Sequence, residues 1–292
     1  MPTNDRPLNG KIALVAGATR GAGRGIALEL GALGAHVYVT GRTTRQQASD
    51  MNRSETIDDT AEMIEARAGT ATAVRTDHSD PEQVKRLAER IKTEQGGLDI
   101  LVNDIWGGDD LTKWDQKLWE HSLADGLLIQ QRAVHTHLIT SRYLLPLMLE
   151  RPGGLVLEIT DGVDDRFRGN VYYSLAKVSV IHLAKAMAEE LRPYQIAAIA
   201  LTPGFLRSEA MLDLFGVTEE NWRDGAKAEP HFVASETPAF VGQAAAQLAA
   251  DPEVMTFTGQ ALSSWGLSDR YGFVDADGGR PHWGRYAEEN NL

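Results

Sequence analysis

The sequence predicts one three-layer α/β/α domain built on a doubly wound parallel sheet. Strand-like apolar runs alternate with helix-like segments along most of the 292 residues. Those runs hold few polar residues, as strands covered on both faces must. A Gly-rich turn closes the first run and opens a helix, the join expected where a parallel sheet meets a ligand.

The elements follow in order. Lys11–Ala16 (KIALVA) reads as the first strand, and the helix after its turn runs to about Leu33. His36–Thr40 is the second strand, Glu55–Ala68 is helical by period, and Thr70–Arg75 is the third strand. Ser79 or Asp80 caps the next helix, with Pro81 in its first turn, and that helix runs to about Glu94. Asp99–Asn103 is the fourth strand, and Trp119 to Leu149 reads as one long helical stretch. Gly153–Ile159, Gln195–Leu201 and Gly259–Leu262 are the remaining strands, with helices at Val171–Leu191 and Thr237–Ala250. The domain spans residues 8–262. Residues 263–292 form an arm rich in Gly, Asp and aromatics. It packs on the surface or on another subunit, or walls the substrate pocket, or lacks order.

Composition narrows the function. Hydrophobic residues make up 42% of the chain, enough for one large core. A net charge of -12 argues against nucleic acid and anionic membranes as partners, because both need a basic surface. The absence of cysteine excludes disulfides, thiolate catalysis and Cys-ligated metal. Met1 to Gly10 is polar, carries Pro2 and Pro7, and has no apolar run that reads as a secretory signal. The longest apolar runs fall far below the roughly 20 residues of a membrane span. A cytoplasmic location is expected.

The first strand runs into Gly17-Ala18-Thr19-Arg20-Gly21-Ala22-Gly23. Gly17 permits a tight turn; Gly21 and Gly23 let backbone approach a diphosphate and let the helix pack on the strand. The helix N-terminus then faces the phosphates. No Asp or Glu follows the second strand to hold a ribose hydroxyl of NAD. Arg42 stands there instead, with Arg45 close by and Arg20 in the Gly-rich loop. Guanidinium groups suit a 2′-phosphate, so the expected cofactor is NADP(H). Asp77 and His78 end the third strand and Asn103 the fourth, in reach of an adenine and its ribose.

Tyr173-Ser174-Leu175-Ala176-Lys177 follows the fifth strand. Four-residue spacing puts Tyr173 and Lys177 on one helix face. An ammonium beside a phenol is expected to lower the phenol pKa and ease proton transfer.

With the AGATRGAG turn, Asp77, Leu101-Val102-Asn103, the YSLAK motif and Pro203-Gly204, the chain resembles the short-chain dehydrogenase/reductase family across roughly Leu8 to Leu262. The resemblance implies a Rossmann-like fold and hydride transfer between NADP(H) and a small carbonyl/alcohol substrate. It implies Tyr173 as proton donor or acceptor, and Lys177 as the group that holds the nicotinamide ribose and tunes Tyr173. It implies that the segment after Pro203-Gly204, including Ser208, touches the carboxamide. A homodimer or homotetramer is implied as well.

Three departures stand out. Trp106 enters the motif Asn103-Asp104-Ile105-Trp106-Gly107, where the family has small residues, and fills space near the nicotinamide or the substrate. Thr160-Asp161 stands where the family has its catalytic Ser. Thr160 can donate a hydrogen bond to a substrate oxygen if it faces the pocket; Asp161 can do so only when protonated. No Asn for a proton relay occurs from Asp104 to Gly169. The alternative to an enzyme is an NADP-binding regulatory or scaffold protein with a degraded site. No metal site is expected: His135 and His137 face apart on a helix, and the acids around Asp164 and Asp275 read as solvated turns.

Overall fold

The computed structural model describes residues 6–292; residues 1–5, with Pro2 and half of the polar segment read above, lie outside them. The chain runs β1 (Ile12–Ala16), α1 (Gly21–Ala32), β2 (His36–Gly41), α2 (Ile57–Ala66), β3 (Thr70–Arg75), α3 (Pro81–Gln95) and β4 (Ile100–Asn103). It continues through α4 (Leu123–Gln130), α5 (Thr136–Met148), β5 (Leu155–Ile159), α6 (Val171–Leu191) and β6 (Ala197–Thr202). Then come α7 (Glu209–Phe215), α8 (Pro238–Ala250), β7 (Ala261–Ser263), α9 (Ser264–Tyr271) and α10 (Trp283–Asn290).

The seven strands are parallel, in the order β3-β2-β1-β4-β5-β6-β7. Side chains alternate between two cores, as the pleat requires. Ala13, Val15, Val37 and Val102 face α1, α2 and α8. Leu14, Tyr38, Leu101 and Val156 face α3, α5 and α6. Each large side chain so buried contributes roughly 1.5–3 kcal/mol. The α1–α8 seam is close because glycines meet there: a Cβ on Gly25 would lie 1.9 Å from the Pro238 carbonyl oxygen.

The strand order reverses between β1 and β4, so their carboxyl ends open a crevice. The fold is the Rossmann-like α/β fold that the sequence predicts. Local differences have clear causes. The cap of α3 is Asp80, which accepts from the Glu82 amide, while Ser79 donates to Asp77. The stretch read as one helix from Trp119 starts at Leu123, because the Ser122 hydroxyl caps the helix there. A π turn at Gln131–His135 then divides it into α4 and α5.

Candidate active site

A cavity of about 870 Å³ opens at the carboxyl ends of β1, β2, β4, β5 and β6. Gly17, Thr19, Arg20, Gly21, Arg42, Asp77, His78, Trp106, Thr160, Asp161, Tyr173, Lys177, Pro203, Gly204 and Ser208 all border it. Gly23 does not; it seats α1 on the turn, where a Cβ would lie 2.3 Å from the Gly17 carbonyl oxygen. Asn103 corrects the expectation that it reaches an adenine. It is buried, and its Nδ2 donates to Glu158 Oε1 at 2.7 Å and to Ser141 Oγ at 3.1 Å. The β4 side chain facing the α5 layer cannot also face the crevice.

The nucleotide end is shaped by bare backbone. Gly17 has φ +92, and a Cβ there would lie 2.3 Å from the Asp104 carbonyl oxygen. Gly21 has φ +56. Arg20, the residue before α1, supplies no side-chain cap. Glu209 of α7 fills that role: its Oε2 accepts from the Gly21 amide at 2.8 Å and its Oε1 from Arg24 Nη1 at 3.1 Å. A carboxylate oxygen of this chain therefore rests on the first amide of α1. Arg42 reaches Asp50 at 2.7 Å. Arg45 leaves the cavity and pairs with Asp59 and Glu62 on α2. Of the three arginines read at this end, Arg20 and Arg42 line the cavity. His78 is buried, with Nε2 at 2.8 Å from Thr40 Oγ1 and Nδ1 at 2.8 Å from Thr140 Oγ1. Burial pushes its imidazole down to about 3, so it stays neutral.

At the other end Asn170 starts α6 by accepting from the amides of Tyr172 and Tyr173. Its Nδ2 donates to the Lys113 carbonyl, tying α6 to the loop before α4. Tyr173 Oη donates to Asp161 Oδ2 at 3.0 Å. The rings of Trp106 and Trp114 lie 5.4 and 5.0 Å from the Tyr173 ring. Burial, then the Asp161 carboxylate, hold the Tyr173 phenol well above its ordinary value. This overturns the expectation that Lys177 lowers it. Lys177 Nζ sits over the Trp106 ring at 4.3 Å, farther from the Tyr173 ring at 5.5 Å, and burial pulls its own pKa below the usual range. The Thr160 hydroxyl is spent: it donates to the Lys177 carbonyl at 2.8 Å. Asp161 is thus the residue of that pair whose side chain meets Tyr173.

Sequence reasoning missed Asp104, whose carboxyl burial pushes up to about 7 against the pull of Lys177. It missed Trp114, Phe205, Glu229 and His231, all on the cavity wall, because aromatic or acidic loop residues carry no spacing signal. It left Trp283 open as part of the arm; Trp283 lines the cavity. Among the described residues, no helix is long and apolar enough to cross a membrane.

The sequence pattern described as short chain dehydrogenase matches residues 11–215. Dehydrogenase/reductase SDR family member 1 of Mus musculus is 32% identical over 277 residues, covering 93% of this chain and 85% of that protein. The 3-oxoacyl-[acyl-carrier-protein] reductase FabG of Aquifex aeolicus is 32% identical over 207 residues, covering 69% of this chain and 76% of that protein. In architecture the chain is similar to a short chain dehydrogenase of Mycobacterium thermoresistibile, with TM-score 0.78 at 24% identity, covering 95% of this chain and 92% of that one. The seven-stranded parallel sheet, the cavity at its switch point and the match over most of the chain agree: the protein is an oxidoreductase of the short-chain dehydrogenase family, a family that uses nicotinamide cofactors on small-molecule substrates.

Proposed function

We propose that the protein is an NADP(H)-dependent reductase of small carbonyl compounds, with Tyr173 as proton donor. One observation carries the reading: Tyr173, Lys177, Arg20 and Arg42 line a single cavity with the bare backbone of Gly17 and Gly21. Gly17 to Gly21 would take the diphosphate at the start of α1, and Arg20 and Arg42 the 2′-phosphate. Asp77 and His78 border the adenine side. Ser208 and the Pro203-Gly204 turn border the carboxamide side, and Lys177 holds the nicotinamide ribose. The bound nicotinamide supplies the hydride.

The side chains move the proton. Charge builds on the substrate oxygen during reduction, and the Tyr173 phenol hands its proton there. Asp161 replaces the family's Ser and orients that phenol. With its carboxylate alongside, Tyr173 keeps its proton until the substrate oxygen is basic enough to take it. That favours reduction over oxidation. Exposed Leu123, Leu127 and Leu175 on α4 and α6 support pairing of these helices in a homodimer or homotetramer. The test of the reading is NADPH consumption with a panel of aldehydes, ketones and quinones; no consumption with any of them overturns it.

A further inference from the structure

We infer that the site takes an uncharged carbonyl compound bearing a flat apolar ring, and that Trp283 of the C-terminal arm sets this preference. The inference rests on the Tyr173 chemistry above and deepens it.

Aromatic surface surrounds the place where the carbonyl must lie. Trp106 and Trp114 meet Tyr173 at interplanar angles of 86° and 59°, and Trp114 is 58% exposed, so much of its ring has no protein partner. A second aromatic group comes from the other side of the sheet order. Phe205 packs edge-on against Trp283, with centroids 5.9 Å apart at 88°. Trp283 sits on the Pro203-Gly204 turn so closely that a Cβ on Gly204 would lie 2.8 Å from the Trp283 Cβ. Tyr286 backs it, stacked at 5.8 Å.

The register brings this group to the chemistry. Ile159 of β5 pairs with Leu201 of β6, so Pro203 emerges beside Asp161. The Gly162 amide donates to Thr202 Oγ1 at 2.9 Å and holds the two strand ends together. Trp283 therefore borders the cavity on the Pro203-Gly204 turn, beside the carboxyl ends of β5 and β6. The arm is fixed there by Glu236, whose Oε2 accepts from the Gly204 amide at 2.9 Å and from Ser264 Oγ at 2.6 Å. Aromatic walls favour edge and offset contacts, which a flat ring supplies without freezing rotors.

The charges around Tyr173 exclude an anion. Asp161 and Asp109 both act on the Tyr173 phenol, and Glu229 also borders the cavity. Arg132 and Arg42 both line the cavity, and both pair with Asp50. Arg168 acts on the phenol in the opposite sense, but it pairs with Asp164 and Asp161 and does not border the cavity. Among the described residues at this end, Lys177 and Arg132 line the cavity; Trp106 covers the first and Asp50 pairs with the second. A substrate carboxylate would meet Asp161 and Asp109, and the guanidinium groups nearby, Arg132 and Arg168, already hold carboxylates of their own.

The test uses the full chain with NADPH and three probe ketones: acetophenone, the acyclic 2-octanone of equal carbon count, and 4-acetylbenzoate. The kcat/KM for acetophenone is expected to exceed each of the others at least tenfold. Trp283→Ala is expected to cut the acetophenone to 2-octanone ratio at least fivefold, and Trp283→Phe to keep it. Equal kcat/KM for 2-octanone or 4-acetylbenzoate overturns the substrate class, while the reductase reading stands. A ratio unmoved in Trp283→Ala overturns the role of Trp283. If none of the three is reduced, the dissociation constants of the same probes from the NADPH complex still decide: acetophenone tightest supports the class, and equal affinities overturn it.

Discussion

Tyr173 Oη donates its hydrogen bond to Asp161 Oδ2 across 3.0 Å, so the phenol faces a carboxylate. The contact changes what the phenol can do. Burial and this carboxylate both raise its pKa. The protonated form, which reduction needs, persists from neutral into alkaline pH; the phenolate, which oxidation needs, is scarce below about 10. Reduction is therefore expected to stay level from neutral pH to about 10. Alcohol oxidation is expected to climb about tenfold per pH unit over the same range. Initial rates in both directions check this, and an oxidation rate that levels off near neutrality contradicts it.

Asp161→Ser removes the largest cause after burial that raises the phenol pKa. The oxidation limb is expected to move to lower pH, with NADPH affinity little changed. Thr160→Val serves as the contrast. It leaves the Lys177 carbonyl without its donor and is expected to cost about 1 kcal/mol of stability without moving the limb. If Thr160→Val moves the limb and Asp161→Ser does not, the assignment of the two residues is reversed.

Arg20 and Arg42 line the nucleotide end, and the acid that follows β2, Asp50, is paired with Arg42. NADP(H) is expected to bind at least tenfold tighter than NAD(H), which asks for only about 1.4 kcal/mol of charge-assisted bonding. Arg42→Asp should reverse the order. Titration of both cofactors into both proteins measures it; equal affinities in the parent protein refute the preference.

The α1–α8 seam predicts a stability effect far from any chemistry. A methyl on Gly25 would lie 1.9 Å from the Pro238 carbonyl oxygen, and Gly242 meets the Gly25 carbonyl in the same seam. Neither partner is a side chain that can swing aside. Gly25→Ala is expected to cost about 1–3 kcal/mol and to lower Tm by several degrees. An unchanged Tm would mean that the two helices separate freely.

The parallel sheet was legible because its strands are apolar on both faces, and the Gly-rich turn because a side chain at Gly17 would meet both its φ of +92 and the Asp104 carbonyl. Tyr173 and Lys177 were legible from their spacing. What stayed hidden depends on residues distant in sequence. The phenol pKa is set by Asp161, Asp109 and the cover of Trp106 and Trp114, so its direction cannot be read from the motif alone. Asn103 was misplaced because the side of the sheet it faces is fixed by Glu158 and Ser141. Helices α7, α9 and α10 have seven or eight residues, too short to show a period. The choice between Thr160 and Asp161 turned on one hydrogen bond, to a backbone carbonyl seventeen residues away.

Tyr173→Phe separates proton delivery from dinucleotide binding, with carbonyl reduction and NADPH affinity measured on the same preparation. The value of kcat/KM is expected to fall at least a thousandfold, within the roughly 10²–10⁴ expected for loss of a general acid, while the NADPH dissociation constant changes less than about threefold. Full carbonyl reduction by Tyr173→Phe would rule out Tyr173 as the proton donor.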